Sequence, residues 1–572
     1  VVRGRPMAVS EAALCGGLGE IAPPPGVALK YGTAGFRTRA ELLDSTFLRM
    51  GVLAALRSRH QQGAAVGLMV TASHNPEQDN GIKMVDPDGG MLDMAWEAHA
   101  MAVANASTAE VMSAAAAVAA AEGVELVADG GQVFVAGDSR PHSERLAALA
   151  RRGAALAGAA VSNLGLLTTP QLHHTVRMKN VQDGVSLGEA TGLTPAHGAD
   201  WAGEEGYYRM LATAFAALVS TAEAAEGVRP LCIDASCGVG APKVTQAIAA
   251  VNAELDGAGL QVTVTNGIGE GALNEGCGAE FVQKQRRPPP SMEHTGHGTR
   301  LCSIDGDADR LVYHYFTEGG EWRLLDGDKI ATLAADFIIG ELQVLALADT
   351  FSTAIVQTAY ANGASTAYLR TCQGLRLDFA KTGVKYVHHV ATKYDIGVYF
   401  EANGHGTVLF KAHVIDHLRQ LLVQEQGPSR RRVALERLLA TQQIVNQAVG
   451  DAISDILFVE AILRVRGWGL EQWDALYTDL PSRQMKLPVA DRSVVQCSPD
   501  ETRALEPQGL QATLDEAMAA VSQGRCFVRP SGTEDVVRVY AEAANQTEAD
   551  ALAVAAAQAV FDFAGGIGDR PE

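Results

Sequence analysis

The sequence lacks the features that mark several common classes of protein. Its eight cysteines form no C-x-x-C pair, so neither a zinc site nor a disulfide framework is indicated. Its Ala-rich stretch at 111–131 is interrupted by Glu122 and Glu125 and is a poor candidate for a membrane span. The N-terminal residues have no apolar core of the kind a secretory signal needs. We therefore expect a reduced, cytoplasmic protein.

Positive charge is also scarce. The chain has 46 Lys and Arg against 66 Asp and Glu, which gives a formal net charge of −20. A field of this sign repels polyanions, so neither nucleic acid nor an anionic membrane is expected as the main partner. A small anionic ligand in a locally basic pocket stays compatible with it, and no obligate protein partner is indicated.

The 572 residues are too many for one hydrophobic core, and helix-like and strand-like segments alternate along them. Segment 45–60 predicts a helix with Ser45 as its N-cap, and 353–357 predicts a strand. This alternation predicts an α/β protein. The predicted domains are 1–196, 197–315, 316–475 and 476–572.

Four times, an apolar strand-like run ends in a polar loop that contains glycine. The four strings are GLMVTASHNP (67–76), LCSIDGDADR (301–310), IGVYFEANGHG (396–406) and CFVRPSGTED (526–535). Ligands of open α/β sheets bind beyond the carboxyl ends of the strands. One such loop in each predicted domain would suit a single cleft built from all four.

The second loop places Asp305, Asp307 and Asp309 at alternate positions. Their oxygens could converge on one cation, and hard oxygen ligands suit Mg²⁺ or Mn²⁺. The string is not an EF-hand, because Arg310 and Phe316 stand where that motif needs Gly and Glu. A solvated acidic turn is the alternative, and we favour metal binding.

The third and fourth loops carry groups that suit a sugar phosphate. RPSGTEDVVRV (529–539) offers two guanidinium groups, hydroxyls and backbone amides, all of which bind phosphate. EANGHG (401–406) offers a carboxylate and an amide for sugar hydroxyls, and His405 for proton transfer. Read alone, RPSGTEDVVRV is better explained as an ordinary turn between a strand and a helix, and EANGHG is equally consistent with a polar turn.

The first loop places Ser73 beside His74. Adjacent residues of an extended chain point to opposite faces, so we do not expect a Ser–His catalytic pair. A serine exposed at a strand end can instead accept and donate a phosphoryl group, with Lys83 neutralising charge. A capped turn before Pro76 is the simpler alternative.

Taken together and in order, the strings resemble the α-D-phosphohexomutase superfamily, and within it the branch that acts on N-acetylglucosamine phosphates. The strings that carry the resemblance are YGTAGFR, VTASHNPEQDNGIKMVDP, SIDGDADR, LLDGDKIATL, IVQTAYANG, DIGVYFEANGHG, GDAISDILFVEAIL and FVRPSGTEDVVRVYAEA. The resemblance implies three similar α/β domains and a smaller C-terminal α+β domain around a central cleft. It also implies interconversion of N-acetylglucosamine 6-phosphate and 1-phosphate for UDP-N-acetylglucosamine synthesis, with Mg²⁺ and a sugar 1,6-bisphosphate activator.

Residue roles follow from the same resemblance, position by position. Ser73 is expected to be the phosphoserine, whose phosphate binds the metal with Asp305, Asp307 and Asp309. Arg37, Lys83, Arg310 and His405 are expected to stabilise charge or move protons. The expected substrate-binding residues are Glu401, Ala402, Asn403, Arg529, Pro530, Ser531, Gly532, Thr533 and Arg538.

Three other functions compete with this one. A phosphoglucomutase of relaxed specificity would share the mechanism, but glucose- and mannose-acting relatives usually carry Ser where this chain has Asn403. A metal-dependent sugar phosphatase would need no second phosphate-binding loop, and RPSGT is intact. A non-catalytic sugar-phosphate-binding protein would be free to lose Ser73 or an aspartate, and none is missing.

Overall fold

The structure is a computed structural model that describes residues 10–33, 35–187, 193, 195–220, 230–256, 259–532 and 534–572. The described residues group into two units. Unit 1 falls within Val1–Asp326 and Thr407–Gly467, and unit 2 within Gly327–Gly406 and Trp468–Glu572. None of the helices in the described ranges has the length and apolar character that a bilayer crossing requires.

The first sheet of unit 1 carries the Ser73 loop. Its strands are β1 (Phe36–Arg39), β2 (Ala65–Val70), β3 (Asp79–Val85), β4 (Gln132–Gly137) and β5 (Ala160–Leu166), in the order β1-β3-β2-β4-β5. β2, β4 and β5 are parallel, and β3 runs antiparallel to β2 and β1. The helices of this part are α1 (Glu11–Gly19), α2 (Asp44–His60), α3 (Met94–Asn105), α4 (Val111–Ala121), α5 (Ser143–Leu156) and α6 (Thr169–Gln182).

Helices cover both faces of this sheet, so every residue of β2 is buried. On one face α2 and α5 cross at backbone contact. A Cβ at Gly51 would lie 2.0 Å from the Ala150 carbonyl oxygen, and one at Gly153 would lie 1.8 Å from that of Leu48. Glycine is therefore required on both helices at the crossing.

The second sheet of unit 1 carries the aspartate loop. Its strands are β6 (Leu231–Asp234), β7 (Val262–Thr265), β8 (Arg300–Ile304), β9 (Leu311–Phe316) and β10 (Trp322–Leu325), in the order β10-β9-β8-β6-β7. β6, β7 and β8 are parallel, so their carboxyl ends meet at one edge. The other helices of unit 1 are α7 (Pro195–Trp201), α8 (Gly203–Val219), α9 (Gly240–Glu254), α10 (Ala279–Gln285), α14 (Ala412–Gln424), α15 (Arg430–Ile444) and α16 (Ala452–Arg466).

Unit 2 contains a parallel sheet and an antiparallel one. The parallel strands are β11 (Thr353–Gln357), β12 (Leu375–Phe379) and β13 (Ile396–Phe400), with β11 in the middle. The antiparallel strands are β15 (Ser482–Pro488), β18 (Arg525–Pro530) and β19 (Val536–Glu542), with β19 in the middle. The other elements are β14 (Gly406–Phe410), which begins where unit 2 passes into unit 1, β16 (Gln496–Cys497), β17 (Ala504–Glu506), α11 (Gly327–Leu345), α12 (Gly363–Leu369), α13 (Val384–Ala391), α17 (Leu470–Asp474), α18 (Leu510–Ala519) and α19 (Gln546–Ala564).

The structure confirms the predicted helix and strand but corrects one end. The strand 353–357 coincides with β11, and 45–60 lies within α2. Ser45 is not the N-cap, because the helix begins one residue earlier and Leu43 occupies the cap position without a side-chain hydrogen bond. The buried Ser45 side chain lies inside the first turn instead.

Candidate active site

Ser73 lies three residues beyond the end of β2. Its backbone is left-handed, with φ 51°, and its N–H donates a hydrogen bond to Thr71 Oγ1 at 2.9 Å. The residue is only 2% exposed. The expectation of an exposed serine is therefore wrong, and the reason is that the aspartate loop of the second sheet lies against it.

The contact between the two loops is a direct hydrogen bond. Ser73 Oγ donates to Asp305 Oδ2 at 2.7 Å and lies 3.5 Å from Asp309 Oδ1. These residues are 232 and 236 positions away from Ser73 in the chain. The loops that follow the two sheets of unit 1 thus bring the predicted phosphoserine into hydrogen-bond contact with a predicted metal ligand.

The three aspartates form a compact, buried set of oxygens. One carboxylate oxygen of each lies within 4.8 Å of those of the other two. The loop is held by its own backbone, because Asp305 Oδ1 accepts the N–H groups of Asp309 and Arg310 at 3.0 and 3.2 Å. Burial, with the Asp309 and Asp307 carboxylates nearby, raises the pKa of Asp305 well above its ordinary value.

This set fits a hard divalent cation. Asp307 Oδ1 is buried and has no hydrogen-bond partner among the described residues. A buried carboxylate oxygen without a partner is costly, and a cation would satisfy it. Asp307, with one carboxylate oxygen each from Asp305 and Asp309 beside it, forms the kind of oxygen donor set that Mg²⁺ binds.

Lys83 and Arg310 surround the carboxylates. Lys83 Nζ lies 3.1 Å from Asp307 Oδ2 and 3.2 Å from Asp309 Oδ2. Burial alone would lower the pKa of Lys83, but the two aspartates outweigh it and raise that pKa. Arg310 Nη1 donates to Glu280 Oε2 at 2.9 Å, and its Nε lies 3.8 Å from Asp309 Oδ1. Both cations are therefore within reach of a phosphoryl group on Ser73.

Arg37 and His74 complete the unit 1 part of the site. Burial and the neighbouring Arg310 lower the pKa of Arg37. His74 Nδ1 lies 3.4 Å from Ser73 Oγ, so the prediction that the two side chains point apart is wrong. That prediction assumed an extended chain, and the left-handed backbone of Ser73 turns the two side chains together. Burial, with Arg310 and Arg37 nearby, lowers the pKa of His74 well below its ordinary value.

The predicted sugar-binding loop lies in unit 2, between β13 and β14. It is a tight turn in which Gly404 N–H donates to the Glu401 carbonyl at 2.8 Å and His405 N–H donates to Asn403 Oδ1 at 3.0 Å. The Ala402 carbonyl accepts the N–H of Gly327 at 3.3 Å. A Cβ at Gly327 would lie 1.9 Å from the Glu401 carbonyl oxygen, so the start of α11 fits against this loop only as glycine.

The predicted phosphate-binding loop connects β18 and β19 in unit 2. Arg529 and Arg538 are directly opposite each other on these strands, and Lys486 of β15 is opposite Arg538. Directly opposed residues share a face of a sheet, so the three cations form one row. The loop itself contains Pro530, the buried Ser531 and the exposed Gly532. Thr533 lies outside the described residues.

Arg529 is held in place from two sides. Its Nε donates to the hydroxyl of Tyr360 at 3.2 Å, and its guanidinium lies 5.5 Å from the centre of that ring. Its Nη1 lies 3.8 Å from Glu501 Oε1. Another oxygen of Glu501 accepts the N–H of Thr382 at 3.0 Å. The arginine is thus oriented before any ligand arrives.

Comparison with known proteins identifies the family. The human protein "Phosphoacetylglucosamine mutase" is 46% identical to this chain over 96% of the chain and 97% of its own length. The chain belongs to the phosphoacetylglucosamine mutase family. Family models match it in order: Phosphoglucomutase/phosphomannomutase alpha/beta/alpha domain I at 44–110 and 101–188, Phosphoacetylglucosamine mutase AMG1 domain II at 197–312 and domain III at 326–468, and the Phosphoglucomutase/phosphomannomutase C-terminal domain at 501–559.

Solved structures of this phosphoacetylglucosamine mutase family agree with the assignment. The Aspergillus fumigatus N-acetylphosphoglucosamine mutase in complex with GlcNAc-6P and magnesium is 40% identical, with a TM-score of 0.88 over 97% of this chain and 99% of that one. A serine-to-alanine variant of it in complex with glucose 1,6-bisphosphate has a TM-score of 0.86, again at 40% identity, over 97% and 99% of the two chains. The α/β fold class and the four-domain family architecture predicted from the sequence are thus confirmed, while the domain boundaries stay a prediction.

Sequence reasoning missed three residues, of which Tyr360 lies in the string IVQTAYANG while Thr169 and Glu501 lie outside all the family strings. Thr169 Oγ1 donates to Asp307 Oδ2 at 2.6 Å from the first turn of α6. Tyr360 and Glu501 hold Arg529. The TTPQ string at 168–171 indicates a helix start, yet it gives no sign that the helix faces the aspartate loop.

Proposed function

We propose that the protein interconverts N-acetylglucosamine 6-phosphate and N-acetylglucosamine 1-phosphate, an isomerase reaction on the route to UDP-N-acetylglucosamine. The observation that carries the proposal is the 2.7 Å hydrogen bond from Ser73 Oγ to Asp305, inside a chain of the phosphoacetylglucosamine mutase family. A hydroxyl set against a buried triad of carboxylates is arranged for phosphoryl transfer with a divalent cation, not for acyl transfer.

Two transfers in opposite directions account for the reaction. In the first, the phosphoserine P–Oγ bond breaks and a P–O bond forms to the free hydroxyl of the bound sugar phosphate, whose proton passes to a base. In the second, the 1,6-bisphosphate gives its other phosphoryl group to Ser73 Oγ, and the departing sugar oxygen takes up a proton. Sugar 1,6-bisphosphate from solution phosphorylates Ser73 by the same second step, which makes it the activator.

The residues of unit 1 support these transfers. Asp305, Asp307 and Asp309 would hold Mg²⁺, which neutralises charge on the transferring phosphoryl group when bound. Lys83, within hydrogen-bond distance of two of these carboxylates, stabilises the negative charge of the phosphoryl oxygens. Arg310 adds positive charge beside it.

The residues of unit 2 bind the part of the substrate that does not react. Arg529 and Arg538, with Pro530, Ser531, Gly532 and Thr533 between them, bind the phosphate that is not being transferred. The sugar loop binds hydroxyls through Glu401 and Asn403, and the backbone at Ala402 supports it. His405 and Arg37 are assigned to proton transfer and charge stabilisation. The proposed domains are 1–196, 197–315, 316–475 and 476–572, and each contributes one of the four loops.

A cytoplasmic location belongs to the same proposal. All eight cysteines are free. Free thiols persist where the redox poise keeps them reduced, which supports the cytoplasm as the working compartment.

Phosphorus NMR tests the function directly. The protein is loaded with Mg²⁺, primed with a trace of glucose 1,6-bisphosphate and given equal amounts of N-acetylglucosamine 6-phosphate and glucose 6-phosphate. Preferential formation of N-acetylglucosamine 1-phosphate is expected. Faster formation of glucose 1-phosphate would overturn the substrate, and release of inorganic phosphate alone would overturn the mutase reaction.

A further inference from the structure

The backbone on both sides of His74 is held by two side chains from distant parts of unit 1. The Ser73 carbonyl accepts hydrogen bonds from Arg140 Nη2 at 3.1 Å and from Asn274 Nδ2 at 2.9 Å. The Asn75 carbonyl accepts from the same two nitrogens, at 2.7 and 3.0 Å. Each side chain therefore bridges two carbonyls of the serine loop, and we call this pair the carbonyl clamp.

The amide side of Ser73 is held as well. Its N–H donates to Thr71 Oγ1, and the Thr71 hydroxyl donates to Asp138 Oδ2 at 2.7 Å. Asp138 in turn accepts from Arg140. A serine with a left-handed backbone is strained, and such a conformation persists only where several contacts hold it in place. Here the hydrogen bonds of the carbonyl clamp and of Thr71 and Asp138 are those contacts.

Asn274 also contacts the aspartate loop. A Cβ at Gly306 would lie 2.9 Å from Asn274 Nδ2 and 2.9 Å from the Ser73 carbonyl oxygen. The loop of Asn274 is anchored to its own sheet, because Asn274 N–H donates to the Ser236 carbonyl at 3.0 Å. Ser73, Asn274 and Gly306 therefore meet at one point, where the serine loop and the predicted metal ligands come together.

We propose that Asn274 and Arg140 are positioning residues for phosphoryl transfer to and from Ser73, a role that rests on the proposed function of Ser73. They fix the backbone of the serine and thereby the place of Oγ relative to Asp305. Displacing a reacting atom by about 1 Å costs roughly a hundredfold in rate. Neither side chain belongs to the predicted sugar or phosphate loops, so the clamp acts on transfer and not on sugar binding.

Asn274 is the better residue to test, because Arg140 is buried in an ion pair with Asp138. Asn274 has φ 60°, and Asn274→Gly keeps that backbone accessible while it removes the amide donor. Asn274→Asp keeps the size and replaces the donor with an acceptor that faces two carbonyls. The measurement is the rate constant of Ser73 phosphorylation by glucose 1,6-bisphosphate with Mg²⁺, followed by quenched-flow mass spectrometry, together with kcat and KM for N-acetylglucosamine 6-phosphate.

We expect the transfer rate constant and kcat to fall about tenfold in Asn274→Gly and about a hundredfold in Asn274→Asp, with KM changed less than about twofold. The matched control is Asn266→Gly. Asn266 is also left-handed, with φ 54°, but its amide donates to Asp234 at 2.7 Å and Ser291 at 3.0 Å. Loss of the Asn266 amide should reduce at most the amount of folded protein, and with it the fraction that becomes phosphorylated. The rate constant of phosphorylation should stay unchanged.

Wild-type rate constants in both Asn274 variants would overturn the clamp, as would an equal fall in Asn266→Gly. A rate constant measured on the phosphorylated fraction is independent of how much protein has folded, so poor yield does not obscure the result. If the wild-type protein itself accepts no phosphoryl group on Ser73, the proposed function fails, and the clamp with it.

Discussion

The two groups of candidate functional residues, one in each unit, are built in different ways. In unit 1 the reacting groups are deeply buried, with Ser73 2%, Asp305 0% and Asp307 0% exposed. They bond to one another, side chain to side chain, across two sheets. In unit 2 the cations lie in a row on a sheet face, and the loop that joins Arg529 to Arg538 includes exposed residues. The groups predicted to react are thus fixed in advance, whereas the loop predicted to bind and release a phosphate lies nearer the surface.

The largest effects are expected when a serine of unit 1, Ser73, is compared with a serine of unit 2, Ser531. Ser73→Ala should lower turnover by several orders of magnitude, because it removes the atom that carries the phosphoryl group. Ser531→Ala should raise KM roughly tenfold to a hundredfold and change kcat less, since a hydrogen bond to a charged phosphate contributes about 1.5–3 kcal/mol. Steady-state assays and thermal unfolding of both variants check this. Substantial mutase activity in Ser73→Ala would refute its assignment.

The next largest effect concerns the unpartnered oxygen of Asp307. Asp307→Asn removes its charge, and we expect turnover to fall roughly a hundredfold or more, with a higher Mg²⁺ concentration needed for half-maximal rate. Removal of metal with a chelator should likewise stop the wild-type enzyme. The measurement is rate against Mg²⁺ concentration.

Asp234→Asn is the matched control for that change. Asp234 is equally buried, but its carboxylate accepts hydrogen bonds from Asn266 at 2.7 Å and from the N–H of Gly278 at 2.6 Å. Its loss should lower stability and leave the Mg²⁺ dependence alone. An unchanged Mg²⁺ dependence in Asp307→Asn would contradict the assignment of Asp307 as a metal ligand.

Arg529→Gln tests the group in unit 2 and should act mainly on binding. Charge-assisted hydrogen bonds contribute about 1.5–3 kcal/mol, so KM should rise roughly tenfold to a hundredfold while kcat changes less. Arg503→Gln, at an exposed arginine paired with Asp515 at 3.0 Å, should change neither constant. A fall in kcat alone would place Arg529 with the reacting groups and erase the contrast between the two units.

The smallest effect is a pH dependence of local stability in unit 1. Burial lowers the pKa of His314 from 6.5 to about 3. The native imidazole stays neutral while the unfolded one gains a proton below its ordinary pKa, so stability is full above that pKa and falls as pH drops through it toward about 3. The protection factors of the β9 amides, which correct the exchange rate for its intrinsic pH dependence, should therefore fall as the pH drops from about 7 to about 5.

The variant His314→Gln should remove that part of the pH dependence. The difference between the two proteins isolates His314 from Asp451, whose pKa burial raises to about 6 and which acts in the opposite direction. Identical pH profiles for the two proteins would contradict the assignment.

The sequence predicts the places of the four loops because each is a local string at a strand end. The structure confirms that the loops follow β2, β8, β13 and β18 and that the fold class is α/β, while the roles of the loop residues stay a prediction. What the sequence could not supply are contacts between distant segments. The Asn274 amide meets the Ser73 carbonyl across 201 residues, and nothing in either string indicates that meeting.

Two local errors have the same origin. The sequence predicts an exposed Ser73 whose side chain points away from His74, as on an extended strand. The structure buries it and gives it a left-handed backbone, because a second loop packs against it and the clamp holds it there. Local preference fails where tertiary contacts dictate an unusual backbone, and such positions concentrate at functional sites.

The row of Lys486, Arg538 and Arg529 has a consequence for how the C-terminal sheet can vary. Residues that alternate with the row, such as Val537 and Val528, are fully buried in the core that includes α19. Insertion of one residue into β19 would invert this alternation beyond the insertion and turn a cation into the core. We therefore expect length changes among homologues to fall in the turns of this sheet and to spare its strands.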